Sequence, residues 1–215
     1  MATPEIRTIV VGPFVQNVHL VFCPRTREGI VVDPGFEPER TLELIAKEKV
    51  KVVEVIATHG HIDHVWGAVP ICRATKAPFR MNSQDQYWLD ALDEQSATFG
   101  LEAPPGTPRI DREIGHGDEV RFGDIVLSAI ATPGHTPGSV CLHCAEGKAL
   151  FTGDLLFQGS IGRTDFPGGD FPTIERSIRE RVFSLDPATV CLCGHGPETA
   201  VGVEKETNPF VGGGM

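Results

Sequence analysis

The chain has 215 residues and carries 19 Lys and Arg against 29 Asp and Glu, a formal net charge of −10 with a pI near 5.2. Its 40% hydrophobic content is enough for an ordinary core in one domain, and no tract approaches the ~20 apolar residues that a spanning helix requires. An acidic surface repels phosphate backbones and anionic lipid, which argues against general nucleic-acid or membrane binding.

In chain order, residues 6–11 (IRTIVV) and 17–23 (NVHLVFC) read as strands joined through Gly12-Pro13, and 29–33 (GIVVD) as a third closed by Pro34-Gly35. Residues 39–49 have helical spacing, with Leu42, Ile45 and Ala46 on one side. Residues 52–57 are a buried strand, 65–75 a helix, and 83–99 a second helix with Ser83 as N-cap and Gly100 as stop. Three prolines make 101–118 an irregular excursion. Two hairpins follow, turning at Gly123-Asp124 and Glu146-Gly147, then a helix over 172–184 and a last strand in ATVCLCG. The whole of 1–210 reads as one domain, and the closing NPFVGGGM, 211–215 above all, as a loose tail.

The N-terminus lacks a basic segment followed by a long apolar one, so no secretory signal is visible. Six cysteines in such a chain are expected to stay reduced, which points to a cytoplasmic setting.

Polar residues of ligand type sit just after strand-like runs in four places: VIATHGHIDH, AIATPGHTPGS, ALFTGDLLF and VCLCGHGP. Strand ends on one rim converge in space. His59 and His61 could hold one metal ion, Asp63 and His64 a second, with His135, Asp154 and His195 completing the cage. Imidazole with carboxylate suits zinc, and also iron or manganese. A carboxylate between two cations is favourable, which makes Asp154 the bridging candidate. Two divalent ions set against Asp63, Asp154 and one hydroxide leave a formal +1, able to attract a small anion. His19, His116 and His143 stand alone and read as ordinary core or surface histidines.

THGHIDH, with Gly67 behind it, together with VVDPG, TPGHTPGS, FTGD and GHGPET in this order, resembles the metallo-β-lactamase superfamily over nearly the whole chain. The resemblance implies an α+β, four-layer αββα sandwich with a metal site at one edge of its two sheets. It implies one site from His59, His61 and His135, a second from Asp63, His64 and His195, Asp154 between them, and Asp33 supporting from behind. TGDLLFQGSIGRTDFPGGD and CGHGPETAVGVEKETNPF are similar to the glyoxalase II-like, or hydroxyacylglutathione hydrolase-like, branch. That branch implies a dinuclear thioester hydrolase acting on a substrate such as S-lactoylglutathione: a metal-bound hydroxide attacks the carbonyl carbon, Asp63 holds the water proton, and the thiolate leaves without a strong acid. Only 20 residues follow His195, so the C-terminal helical domain that holds glutathione in classical members is missing and the glutathione assignment weakens. Arg163 and Lys205 are candidates to meet a substrate carboxylate, and Phe157 and Phe166 to line the pocket.

GRTDF is also similar to the persulfide dioxygenases of the same superfamily. There a single non-haem iron is held by the residues matching His59, His135 and Asp154, a set contained within the seven ligands above. Cys141-x-x-Cys144 and Cys191-x-Cys193 lie in strand-like runs; Cys141 and Cys144 would point to opposite faces, so both pairs read as core filling rather than a zinc or redox site.

Overall fold

Alternation along the strands sorts the apolar side chains into three layers of core. The computed structural model describes residues 3–213. Its first half contains β1 (Glu5–Val11), β2 (Gln16–Phe22), β3 (Glu28–Val32), α1 (Pro38–Glu48), β4 (Lys51–Ile56), α2 (Ile62–Val65), α3 (Ala68–Thr75), β5 (Phe79–Met81), α4 (Gln86–Asp90), α5 (Leu92–Phe99) and β6 (Arg112–Glu113). The second half contains β7 (Glu119–Phe122), β8 (Ile125–Ala131), β9 (Val140–Cys144), β10 (Ala149–Gly153), β11 (Leu156–Phe157), β12 (Ser160–Ile161), α6 (Phe171–Arg176), β13 (Val190–Cys193), β14 (Thr199–Ala200) and α7 (Val201–Thr207).

Strands β1 to β6 form one six-stranded sheet in sequence order, and the other sheet runs β14-β13-β10-β9-β8-β7. The sheets pack face to face: Val21, Ile30, Val32 and Ile56 of the first meet Leu127, Leu142, Phe151 and Leu192 of the second. Neighbours one residue along turn outward. Leu20, Phe22, Val31 and Val55 pack under Ile45 and Ile71 of α1 and α3 and under Leu89 and Leu92 of α4 and α5. Cys141, Leu150 and Cys191 pack under Ile174 of α6, the π-helical turn Ser177–Val182 that continues it, and Val201 of α7. The result is the αββα sandwich. Cys141 and Cys144 do face opposite sides, one under the helices and the other between the sheets. All six thiols are free.

The expected strands agree with the structure to within one or two residues, β5, β11, β12 and β14 are additional to them, and three helices differ. The expected 65–75 helix is divided at Gly67, whose N–H leaves the helix to reach Pro34 O at 2.8 Å. The expected 83–99 helix is a 3-10 turn (Ser83–Asp85) followed by α4 and α5, which part at Ala91. Trp88 O there accepts a 2.8 Å hydrogen bond from Gln95 Nε2, while Gln95 Oε1 accepts the Ile62 N–H. The expected 172–184 helix turns π-helical at Ser177. Within the irregular excursion, β6 pairs with β5.

The loose tail is corrected as far as Gly213. Val211 is fully buried beneath α6 and α7. Asn208 Nδ2 donates to Ser160 O at 3.0 Å and Glu204 Oε2 at 2.7 Å, and Gly213 N–H donates to Lys205 O. One apolar side chain and a satisfied amide hold this segment down. Residues 214–215 of that expected tail lie outside the described residues.

His19 on β2 points into the inter-sheet layer, its ring edge-on to Phe151 at 5.3 Å and its Nδ1 bonded to Thr8 Oγ1 at 2.9 Å. Burial pushes its pKa down to about 4 against the opposing pull of Asp33. The native histidine is therefore neutral while the unfolded one takes a proton as pH falls below about 6.5, so stability is lost between about pH 6.5 and 4. A His19→Leu variant should lose about 2 kcal/mol less than the parent between pH 7 and 4.5, as read by denaturant unfolding at each pH. Equal losses would show that this histidine does not drive the acid limb.

Candidate metal centre

Five strands of the two sheets end at one rim. β3 and β4 run parallel in one sheet, as do β10 and β13 in the other, and β8 shares the direction of β10 because each is antiparallel to β9. Their C-terminal ends deliver Asp33, the His59–His64 segment, Asp154, His195 and His135. The sheets are tied together at this rim: Val140 N–H donates to Thr58 O at 2.9 Å, and Asn17 N–H to Gly194 O at 2.7 Å. Two glycines permit the approach. Gly153 has φ of +48°, and a Cβ there would collide with Thr58 Oγ1; a Cβ on Gly194 would collide with Asp154 Oδ1.

All seven expected ligands come together. His59, His61 and His135 form one group, Asp63, His64 and His195 another, and His59, His64 and Asp154 a third between them, with donor atoms within 4.8 Å of one another in each. Asp154 faces both sides: Oδ1 lies 3.2 Å from His64 Nε2, and Oδ2 lies 3.5 Å from His195 Nε2 and 3.7 Å from His135 Nε2. Asp63 Oδ2 lies 3.1 Å from His195 Nε2.

Hydrogen bonds behind the rings fix where the protons sit. Asp33, held at φ 54°, accepts from Thr58 N–H at 2.7 Å and from Thr58 Oγ1–H at 3.0 Å. With its proton so used, Thr58 Oγ1 can only accept from His59 Nδ1, 3.1 Å away. His135 Nδ1 donates to Arg163 O at 2.7 Å, and His195 Nδ1 to Phe14 O at 2.9 Å. His64 Nδ1 stands 3.1 Å from Asp33 Oδ2, in ion-pair range though not aligned as a hydrogen bond. The Nε2 lone pairs of these rings therefore point inward.

The inward atoms are frustrated without a cation. His61 Nδ1 lies 3.1 Å from His59 Nε2 and 2.9 Å from His135 Nε2, and while the rings are neutral at most one of the three carries a proton. On the other side His195 Nε2 faces the carboxylates of Asp63 and Asp154, which raise its affinity for a proton or a cation. Asp154 Oδ1 and His61 Nε2 are buried with no hydrogen-bond partner. The nitrogen spacing is near the roughly 3.4 Å edge of a tetrahedron with metal–nitrogen bonds of about 2.0–2.1 Å. The donor set thus fits divalent ions.

Protonation tells the same story. Burial and the neighbouring imidazoles hold His59 well below its usual range, and burial with His135 lowers His61 to about 3. Burial would lower His64 and His195 too, but the surrounding carboxylates raise both. Burial opposes ionisation of Asp63 and Asp154, yet His64 and His195 keep both below the ordinary range.

A cavity of about 580 Å³ opens over this centre, lined in part by Phe14, Trp88, Phe99, Arg163 and Phe166. Two expected substrate contacts lie elsewhere. Lys205 on α7 donates Nζ to Phe183 O at 3.1 Å, because its helix packs on the outer face of the second sheet. Phe157 lies 6.1 Å from the His195 ring, packed into the core under α6 rather than along the cavity. Arg163 does border the cavity, but its Nε and Nη2 are both held by Asp165 at 2.7 Å and its plane covers Phe166 at 3.6 Å.

Asp85 was not legible in the sequence. Buried in the 3-10 turn, it accepts from Gly60 N–H at 3.0 Å, between the first two histidines. It also accepts from Gly138 N–H at 2.7 Å and Thr136 Oγ1–H at 2.6 Å, on the loop that carries His135. Burial raises its pKa, against the pull of these donors. One carboxylate thus clamps the two loops that supply His59, His61 and His135. An acidic residue at the start of the 83–99 segment gives no local sign of this.

A paired His/Asp metal centre at the strand ends of an αββα sandwich defines the metallo-hydrolase class. The chain belongs to the metallo-β-lactamase superfamily, whose family model matches residues 11–195. It is 35% identical to the hydroxyacylglutathione hydrolase GloC of Haemophilus influenzae, over 96% of this chain and 98% of that one. Among solved structures, the BLEG-1 B3 metallo-β-lactamase superposes with a TM-score of 0.89 at 31% identity, over 97% of this chain and 100% of that one. TTHA1623 in a di-iron-bound form superposes with a TM-score of 0.86 at 34% identity, over 95% and 99%.

Loss of the Asp85 clamp should weaken metal binding by about 10–100-fold. Competition of the metal-loaded Asp85→Ala variant against a chromogenic chelator measures this, and unchanged affinity in a folded variant would assign loop positioning to other contacts.

Proposed function

We propose that the protein is a dinuclear metal-dependent hydrolase of small thioesters. The observation that carries this reading is Asp154, set between two groups of nitrogen donors so that one carboxylate can serve two ions. The di-iron form of a relative and the name of the Haemophilus relative support it. Zinc suits the donor set best, and iron or manganese would also be accepted.

When bound, divalent ions at these seven side chains supply Lewis acidity and bring the pKa of water toward neutrality. The chain does the rest. Asp33 and Thr58 orient the imidazoles from behind. Asp63 and Asp154, kept ionised beside His64 and His195, balance the cations, and Asp63 is placed to take a proton from the attacking water. The cavity holds the acyl group and limits competing solvent. A thiolate leaves readily because its conjugate acid has a pKa near 8.5, so no strong general acid is needed. Six free cysteines support a cytoplasmic setting, and the net charge of −10 supports a small-molecule substrate over nucleic acid.

The experiment is metal analysis together with thiol release from S-lactoylglutathione and oxygen uptake with glutathione persulfide. Two metals per chain with thiol release are expected. One iron per chain with oxygen consumption and sulfite formation would replace this reading by a mononuclear dioxygenase. Asp154→Ala should lower both metal occupancy and turnover, the latter by at least about 100-fold; full activity would overturn the bridging role.

A further inference from the structure

The cavity over the metal centre is walled by aromatic rings on the side of the first histidine group. Trp88 stands edge-on to the His61 ring at 4.4 Å, Phe166 approaches the same ring at 5.6 Å, and the two rings lie 6.1 Å apart. Tyr87 closes the rim by donating to Pro167 O at 2.9 Å, which ties α4 to the loop carrying Phe166. Phe99 of α5 meets Phe14 edge-on at 5.2 Å across the opening.

The charges there do not suit an anionic acyl group. Arg163 is the one arginine or lysine along the wall among the described residues, and its guanidinium is taken up by Asp165 and stacked on Phe166. The other charged side chain away from the metal ligands is Glu94, a carboxylate. A cavity of about 580 Å³ must also seat the thiol part of a thioester, and a three-carbon hydroxyacyl group offers no ring to pack on Trp88 and Phe166. That volume lies within the roughly 300–1,000 Å³ typical of ligand pockets.

On the thioester reading above, we infer that the preferred substrate carries a neutral, ring-bearing acyl group seated against Trp88 and Phe166. Its test compares S-mandeloylglutathione with S-lactoylglutathione. The two share the thiol and the hydroxyacyl carbon and differ by a phenyl in place of a methyl. The expected kcat/KM ratio favours the mandeloyl ester by about tenfold or more. It should fall several-fold in Phe166→Ala and, independently, in Trp88→Leu. Because both esters are measured on one preparation, the ratio cancels differences in metal loading or folded fraction. A ratio near or below one with both esters turned over overturns the inference and leaves thioester hydrolysis standing. Should neither ester release thiol, the thioester reading fails, and the pocket is judged by binding alone. For that, mandelate and lactate are titrated into the metal-loaded protein by tryptophan fluorescence. Mandelate binding about tenfold tighter is the expected result, and equal binding rejects the aromatic seat.

Discussion

Imidazole lone pairs and carboxylate oxygens are forced to face one another in a buried place, and the rest of the molecule is arranged to keep them there. Left alone, such atoms repel, and each is deprived of water. The proton of His59 is committed to Thr58, whose own proton is committed to Asp33; those of His135 and His195 go to backbone carbonyls. These outward bonds determine which nitrogen is bare. A ring free to flip would relieve the crowding by turning an N–H inward. The backing therefore creates the frustration that a cation relieves, and the centre is only as well formed as the network behind it.

Two sheets are needed because the seven side chains of the centre come from both of them. β4 and β3 bring His59, His61, Asp63, His64 and Asp33 from one side; β8, β10 and β13 bring His135, Asp154 and His195 from the other. The inter-sheet core of branched and aromatic side chains fixes the distance between these rims. Direct backbone bonds from Val140 to Thr58 and from Asn17 to Gly194 lock it at the site itself. A shift of one residue in any of the four ligand-bearing strands would reverse its inward and outward faces and withdraw its ligand, so core packing and ligand placement are one constraint.

How far the sequence shows this depends on the range of each interaction. The strands were legible because sheets covered on both faces leave apolar runs, and His59, His61, Asp63 and His64 because they crowd into six positions. His135, Asp154 and His195 were legible because each follows a strand-like run. Asp85 was not: its partners Gly60 and Gly138 lie 25 and 53 residues away, and nothing nearby distinguishes it from a capping residue. Arg163 and Lys205 lie in family-like segments and carry the charge to meet a carboxylate. Only the fold shows that Asp165 occupies the first and that the second faces the Phe183 carbonyl on the outer helical layer. The tail was misread for a similar reason. Its glycines suggest looseness, but a single valine reaches the core and Asn208 anchors the turn before it.

The carboxylates also make the two sides of the centre unlike. With no cation bound, the carboxylates draw protons onto His64 and His195, whose affinities are raised, while His59 and His61 are too deeply buried to accept them. An incoming ion meets less proton competition at His59 and His61 than where Asp63, His64, Asp154 and His195 meet. The two halves thus differ in their dependence on acidity before any difference in metal preference is considered. That asymmetry follows from where the carboxylates lie, since the imidazoles on both sides are alike in kind.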